Sequence, residues 1–133
     1  MRLEHVAIAM PDPPAAAAWY AERLGFRIVR AAAQPPRAQF LEPPGGGTLI
    51  ELFCDPNTPP LDHHAIHGMQ AHLAIALEDA AAVAALAADL AAHGASAEGE
   101  PARTATGDHY AIVRDPWGVP LQLIARAHPF ESR

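Results

Sequence analysis

One phrase occurs twice in this chain. Glu4-His5-Val6-Ala7-Ile8-Ala9 near the start and Ala71-His72-Leu73-Ala74-Ile75-Ala76 in the middle both read x-His-apolar-Ala-Ile-Ala. Each is followed by an acidic residue and an alanine-rich stretch of helical character, through Met10-Pro11-Asp12 in one case and Leu77-Glu78-Asp79 in the other. The end of the unit also repeats, with Ile50-Glu51-Leu52 matching Leu121-Gln122-Leu123. A supersecondary unit written twice restricts the chain to architectures with internal pseudo-symmetry, in which equivalent residues of the two copies take equivalent places.

Taken in order, the pattern predicts a strand over residues 2–10, alternating His5, Ala7 and Ala9 against Val6, Ile8 and Met10. Asp12 caps a helix with Pro13 and Pro14 in its first turn and Gly25 after its last. Strands follow over about 26–33, 38–42 and 48–54, the last two separated by the loop Pro43-Pro44-Gly45-Gly46-Gly47. The second copy gives a strand over 69–77 and a helix capped by Asp79, with Val83, Leu86 and Leu90 on one stripe. A short edge strand near 95–98 and a hairpin of 108–114 and 120–126 complete it. The hairpin turns at Asp115-Pro116-Trp117-Gly118, with proline second and glycine fourth as a type I turn prefers. The expectation is one α+β domain over 1–133: module one about 2–54, a linker 55–68, module two about 69–126 and a loose tail 127–133.

Four polar residues then stand at repeat-equivalent places: His5, Glu51, His72 and Gln122. Strand alternation puts them on one face with Ala7, Ala9, Ala74 and Ala76, and puts the large residues Val6, Ile8, Ile50, Leu52, Leu73, Ile75, Leu77, Leu121 and Leu123 on the other. The bulky face wants a helix over it. Small side chains beside polar ones leave the room a cavity requires. A lone histidine in a strand is ordinary. Two at equivalent positions, with a carboxylate and an amide at the other equivalent pair, point to a divalent cation such as Zn²⁺, Ni²⁺, Co²⁺, Mn²⁺ or Fe²⁺ rather than Ca²⁺.

Composition removes other classes. Cys54 is the one cysteine, so there is no intrachain disulfide and no thiolate metal cluster. All nine basic residues are arginines, scattered in a chain of net charge −6, which argues against nucleic acid. Without lysine there is no Schiff-base chemistry. No apolar run approaches the roughly 20 residues of a membrane span, and Met-Arg-Leu-Glu-His-Val lacks the design of a signal peptide, so a soluble cytoplasmic protein is expected.

Other residues carry weaker signals. Phe53 shares the face of Glu51, and His109 and Tyr110 open a strand; all three are substrate-pocket candidates. Arg37, Arg103 and Arg114 are candidates for an anionic substrate group. The run Asp62-His63-His64-Ala65-Ile66-His67 reads as solvated linker.

Nearly the whole chain resembles the vicinal oxygen chelate superfamily, which includes glyoxalase I, methylmalonyl-CoA epimerase, fosfomycin-resistance thiol transferases, bleomycin-binding proteins and extradiol dioxygenases. The marks are Glu4-His5-Val6-Ala7-Ile8, the helix-closing Trp19-Tyr20-Ala21-Glu22-Arg23-Leu24-Gly25-Phe26, and Asp115-Pro116-Trp117-Gly118 before Leu121-Gln122-Leu123. The resemblance implies paired βαβββ modules whose curled mixed sheets surround a central cavity, a homodimer, and a metal held by His5, Glu51, His72 and Gln122. It further implies a lyase or isomerase in which the metal chelates neighbouring substrate oxygens and stabilises an enolate or oxyanion, with Glu51 as the base. The chain departs from the family at Gln122, where glutamate is usual; an amide ligates through oxygen but takes no proton at neutral pH. That departure also disfavours the thiol transferase branch. A metal-free antibiotic-binding protein of the bleomycin-resistance type is the alternative.

Overall fold

A computed structural model describes residues 1–130; the last three positions of the expected tail lie outside the described residues. The elements run β1 (His5–Ala9), α1 (Pro13–Leu24), β2 (Arg27–Ala31), β3 (Gln39–Glu42), β4 (Leu49–Phe53), a 3₁₀ turn (His63–Ala65), β5 (Leu73–Leu77), α2 (Ala80–Ala92), β6 (Ser96–Ala97), β7 (Ala102–Arg103), β8 (His109–Arg114) and β9 (Pro120–Ala125). The fold is α+β, with two helices and two mixed sheets that curl without closing. Two compact units divide the chain, residues 1–61 and 62–133. Among the described residues no helix is long and apolar enough to cross a membrane.

In the first unit the strand order is β1-β4-β3-β2, with β1 parallel to β4 and the other pairs antiparallel. Helix α1 begins where the local chemistry dictates. The Asp12 carboxylate accepts from the Ala15 N–H, Pro13 and Pro14 occupy positions that need no donor, and Gly25 ends the helix at φ 70° with its N–H on the Tyr20 carbonyl. The helix buries Ala16, Ala17 and Tyr20 in the core with Leu41, Ile50 and Leu52, and the Tyr20 ring meets Phe26 edge-on at 5.7 Å. Val6, expected in this core, is 43% exposed. It lies on β1, at the edge of the sheet, and the helix packs against β2, β3 and β4.

In the second unit β5 runs parallel to β9, β9 pairs with β8, and β6 and β7 both pair along the free edge of β8. The short strands β6 and β7 thus share, in two pieces, the place that β2 takes beside β3 in the first unit. The sequence pattern predicts β6 but not β7, whose two residues carry no apolar alternation. Asp79 caps α2 by accepting from the Ala82 N–H at 2.8 Å, and Val83 and Leu90 bury its inner stripe in a core that includes Leu121 and Leu123. Strand β5 starts at Leu73, later than the expected 69, because residues 62–71 fold as turns instead.

These turns belong to the second unit and differ from a solvated linker. His63 is buried, and the Arg114 guanidinium donates to the carbonyls of His63 (3.0 Å), Ile66 (2.8 Å) and Gly118 (3.0 Å). The hairpin turn itself forms as expected. The Gly118 N–H meets the Asp115 carbonyl at 3.0 Å, and the buried Asp115 carboxylate accepts from the N–H groups of Trp117 and Val119.

Candidate functional site

Parallel pairing places Ala7 beside Glu51 and Ala9 beside Phe53, while antiparallel pairing places Phe40 beside Glu51. Residues paired in register share a face, so His5, Ala7, Ala9, Phe40, Glu51 and Phe53 lie together on the face of the sheet away from α1. Here His5 Nε2 comes within 3.2 Å of Glu51 Oε2. The His5 ring meets Phe40 edge-on at 5.6 Å, and the Arg30 guanidinium stacks over this aromatic at 5.7 Å from its centroid. Phe53 walls an open cleft of about 500 Å³ with Pro35, Pro36, Asp55, Pro56 and Asn57.

The other ring nitrogen of His5 is also engaged. Nδ1 hydrogen-bonds the carboxylate of Glu4. A carboxylate only accepts, so Nδ1 carries the proton and Nε2 is the nitrogen presented to Glu51. The hydrogen bond to Glu4 is the main reason the His5 pKa is raised above 6.5; partial burial opposes it, and the charges of Glu4 and Glu51 add to it. Nothing in the sequence pattern assigns Glu4 a role. Alternation would send it to the opposite face, but β1 begins only at His5, so the rule does not govern the residue before it.

In the second unit the register pairs Ala74 with Gln122 and Ala76 with Ile124 on one face, while Leu73, Ile75, Leu121 and Leu123 occupy the other. The expected separation into a small, polar face and a bulky face holds for β5, whose Ala74 and Ala76 are exposed. His72 precedes the strand. Its Nδ1 donates to the Gly68 carbonyl at 2.6 Å, which leaves Nε2 with its lone pair. A recess of about 490 Å³ lies along the alanine face, lined by Ala74, Ala76, Ile124, Arg126, Pro129 and Phe130. Part of the tail expected to be loose therefore walls this recess. The Ala127 N–H and the Arg126 guanidinium both bond Asp108 at 2.9 Å, and Arg126 lies 4.7 Å over the Phe130 ring.

The remaining candidates separate by face. Tyr110 pairs with Ile124 and shares the Gln122 face, whereas His109 pairs with Ala125 on the helix side. Of the arginines expected to suit an anionic group, Arg37 is paired with Asp12 at 3.0 Å and Arg103 donates to the Gly107 carbonyl. Arg114 is committed to backbone carbonyls and to Glu98. Arg30, which no sequence signal singles out, is the arginine stacked on the aromatic beside His5.

Among the described residues no three His, Cys, Asp or Glu side chains are gathered to hold a metal ion. Each unit by itself supplies two donors of the expected set: His5 with Glu51, and His72 with Gln122. The donor chemistry, imidazole nitrogen and carboxylate or amide oxygen without thiolate, suits a borderline divalent cation. Both histidines also tie Nδ1 to an acceptor, the arrangement that orients a ligating imidazole.

Comparison with known proteins places the chain among relatives. The profile of the Glyoxalase/Bleomycin resistance protein/Dioxygenase superfamily matches residues 2–123. No curated protein matches the chain. A glyoxalase family protein from Bacillus cereus superposes with a TM-score of 0.76 at 19% identity, over 94% of this chain and 93% of that one. A glyoxalase-related enzyme from Fulvimarina pelagi gives 0.75 at 18% identity, over 99% and 94%. TnmS3, an antibiotic binding protein from Streptomyces sp. CB03234, gives 0.70 at 23% identity, over 96% and 97%. At these identities the likeness is one of fold.

Proposed function

This chain belongs to the Glyoxalase/Bleomycin resistance protein/Dioxygenase superfamily, and from that premise we propose that it is a metal-dependent, glyoxalase-like lyase or isomerase acting on a small oxygenated substrate. The observation that carries the reading is the treatment of the two repeat-equivalent histidines. Each commits Nδ1 to an acceptor, and His5 presents Nε2 to Glu51. In this reading His5, Glu51, His72 and Gln122 hold a divalent cation of the Zn, Ni, Co, Mn or Fe group. When bound, such a cation would supply Lewis acidity toward the oxygens of a substrate. Glu51 is the one carboxylate of the set, so it takes the proton from the carbon beside those oxygens and returns it to the product. Gln122 contributes an amide oxygen and no base, which makes the chemistry single-base. Phe53, on the Glu51 face, and Tyr110, on the Gln122 face, are the pocket residues of this reading. A homodimer in the cytoplasm accompanies this reading.

A second reading, a metal-free antibiotic-binding protein, draws support from the likeness to TnmS3, an antibiotic binding protein. Metal analysis of protein purified without added metal separates the two, followed by calorimetry and thermal melting with Zn²⁺, Ni²⁺ and Mn²⁺. Bound metal, or heat with a rise in Tm, supports the enzyme. Neither heat nor a shift with any of the three ions overturns it in favour of the binder.

A further inference from the structure

We propose that Glu98, Arg114 and Gly68 form a latch that positions His72 and sets its tautomer, so that Nε2 is the nitrogen available to a ligand. The part of this that concerns metal rests on the preceding reading; the tautomer does not.

The latch is built from long-range contacts within the second unit. His72 lies just outside β5, whose pairing with β9 begins at Leu73, so the sheet does not orient its ring. The Gly68 carbonyl does, by accepting from Nδ1 at 2.6 Å. Gly68 is held in turn, its N–H donating to Glu98 Oε1 at 2.9 Å. Glu98 forms an ion pair with Arg114 through its buried Oε2 at 2.5 Å, and His67 Nε2 lies 3.7 Å from Oε1 of the same carboxylate. Arg114 also clamps the carbonyls of His63 and Ile66. The ends of this two-residue bracket are only 13% and 21% exposed, so the interaction is shielded from solvent and demanding of both partners.

Glycine at 68 is required by space. A Cβ there would come within 2.8 Å of Ile112 Cγ2 and within 3.1 and 3.2 Å of the two Glu98 oxygens. The segment can approach the bracket this closely only without a side chain. The consequence reaches His72 through one residue, because the N–H on one side of Gly68 and the carbonyl on the other are used at once. Glu98 and Arg114 are thus positioning residues. They touch neither the ligand nor His72, and they act through the backbone of Gly68.

Imidazole ¹⁵N NMR of metal-free protein, at a pH where histidine is neutral, tests this. The His72 signals are assigned by their loss in His72→Gln. Wild-type His72 is expected as the Nδ1–H tautomer, and Glu98→Gln and Gly68→Ala are expected to shift it toward Nε2–H. Gly68→Ala retains every charge, so it reads the latch independently if Glu98→Gln leaves Arg114 poorly compensated and unfolds. Zn²⁺ affinity, by calorimetry, should fall about 10–100-fold in the same variants and hold in Glu22→Gln on the exposed side of α1. An Nε2–H tautomer in the wild type, or an unchanged tautomer in either folded variant, overturns the latch. A wild type that binds no Zn²⁺ while its tautomer shifts as described overturns the metal reading and sustains the latch.

Discussion

His5 Nε2 stands 3.2 Å from Glu51 Oε2 while Nδ1 of the same ring bonds Glu4. One imidazole is therefore bracketed by two carboxylates. Such a ring serves a cation through Nε2 or, without one, holds a proton there. The two uses compete, and the competition is measurable.

In metal-free protein the raised pKa of His5 means that its imidazolium is favoured by the fold. The stabilisation is fully present below the ordinary value of 6.5 and is lost as pH rises through the higher folded value. Thermal melts in chelator should show His5→Gln less stable than wild type below that value, with the two converging above it. Metal affinity should run the opposite way, rising as pH climbs through the same value, because the cation displaces the Nε2 proton.

Glu51→Gln removes the one carboxylate of the proposed ligand set and keeps an oxygen donor. Turnover of an oxygenated substrate should fall about 10²–10⁴-fold, read as kcat at saturating metal. Unchanged turnover removes Glu51 from the role of base.

Leu52 is fully buried with Tyr20 and Leu41, whereas Val6 is 43% exposed. Leu52→Ala should cost about 2–5 kcal/mol in denaturant unfolding. Val6→Ala should stay within about 0.5 kcal/mol, although alternation alone assigns both residues to the same bulky face.

Gly25 closes α1 at φ 70°, and a Cβ there would make only ordinary contact with Pro44. The cost of Gly25→Ala is thus conformational, about 1–2 kcal/mol, and should appear as a lowered Tm without loss of metal binding.

Asp108 anchors the tail. Its pKa is held below 3.8 chiefly by the Ala127 N–H; burial opposes this, and Arg126 reinforces it. A depressed carboxylate stabilises the fold above 3.8 and loses that contribution as pH falls through the lower folded value. Asp108→Asn should therefore be less stable than wild type at neutral pH and approach it in strong acid, and the Ala127 amide should exchange faster with solvent at neutral pH.

The features legible in the amino-acid sequence are mostly local or periodic. Asp12, Gly25 and Asp79 are readable because a cap acts within one turn of helix. The grouping of Glu51 with Ala7 and of Gln122 with Ala74 is readable because alternation along a strand and repetition of the unit both predict it, and the register agrees. His109 and Tyr110 follow the same rule: they are consecutive in one strand, so alternation puts them on opposite faces, and the pairing with β9 adds only that Tyr110 is the one on the Gln122 face.

The doubled βαβββ plan, the helix boundaries and the set of candidate donors are written in the chain, since each follows from neighbours a few positions apart or from the repeat. Tertiary packing settles the rest: Glu4 engages His5, Arg114 is committed to backbone carbonyls, residues 62–71 pack as ordered turns, and the Gly68 carbonyl orients His72. Several of these contacts join residues far apart in the chain, and each has at least one partner outside the regular strands, where alternation does not fix side-chain directions. Neither periodicity nor spacing encodes those directions; packing does.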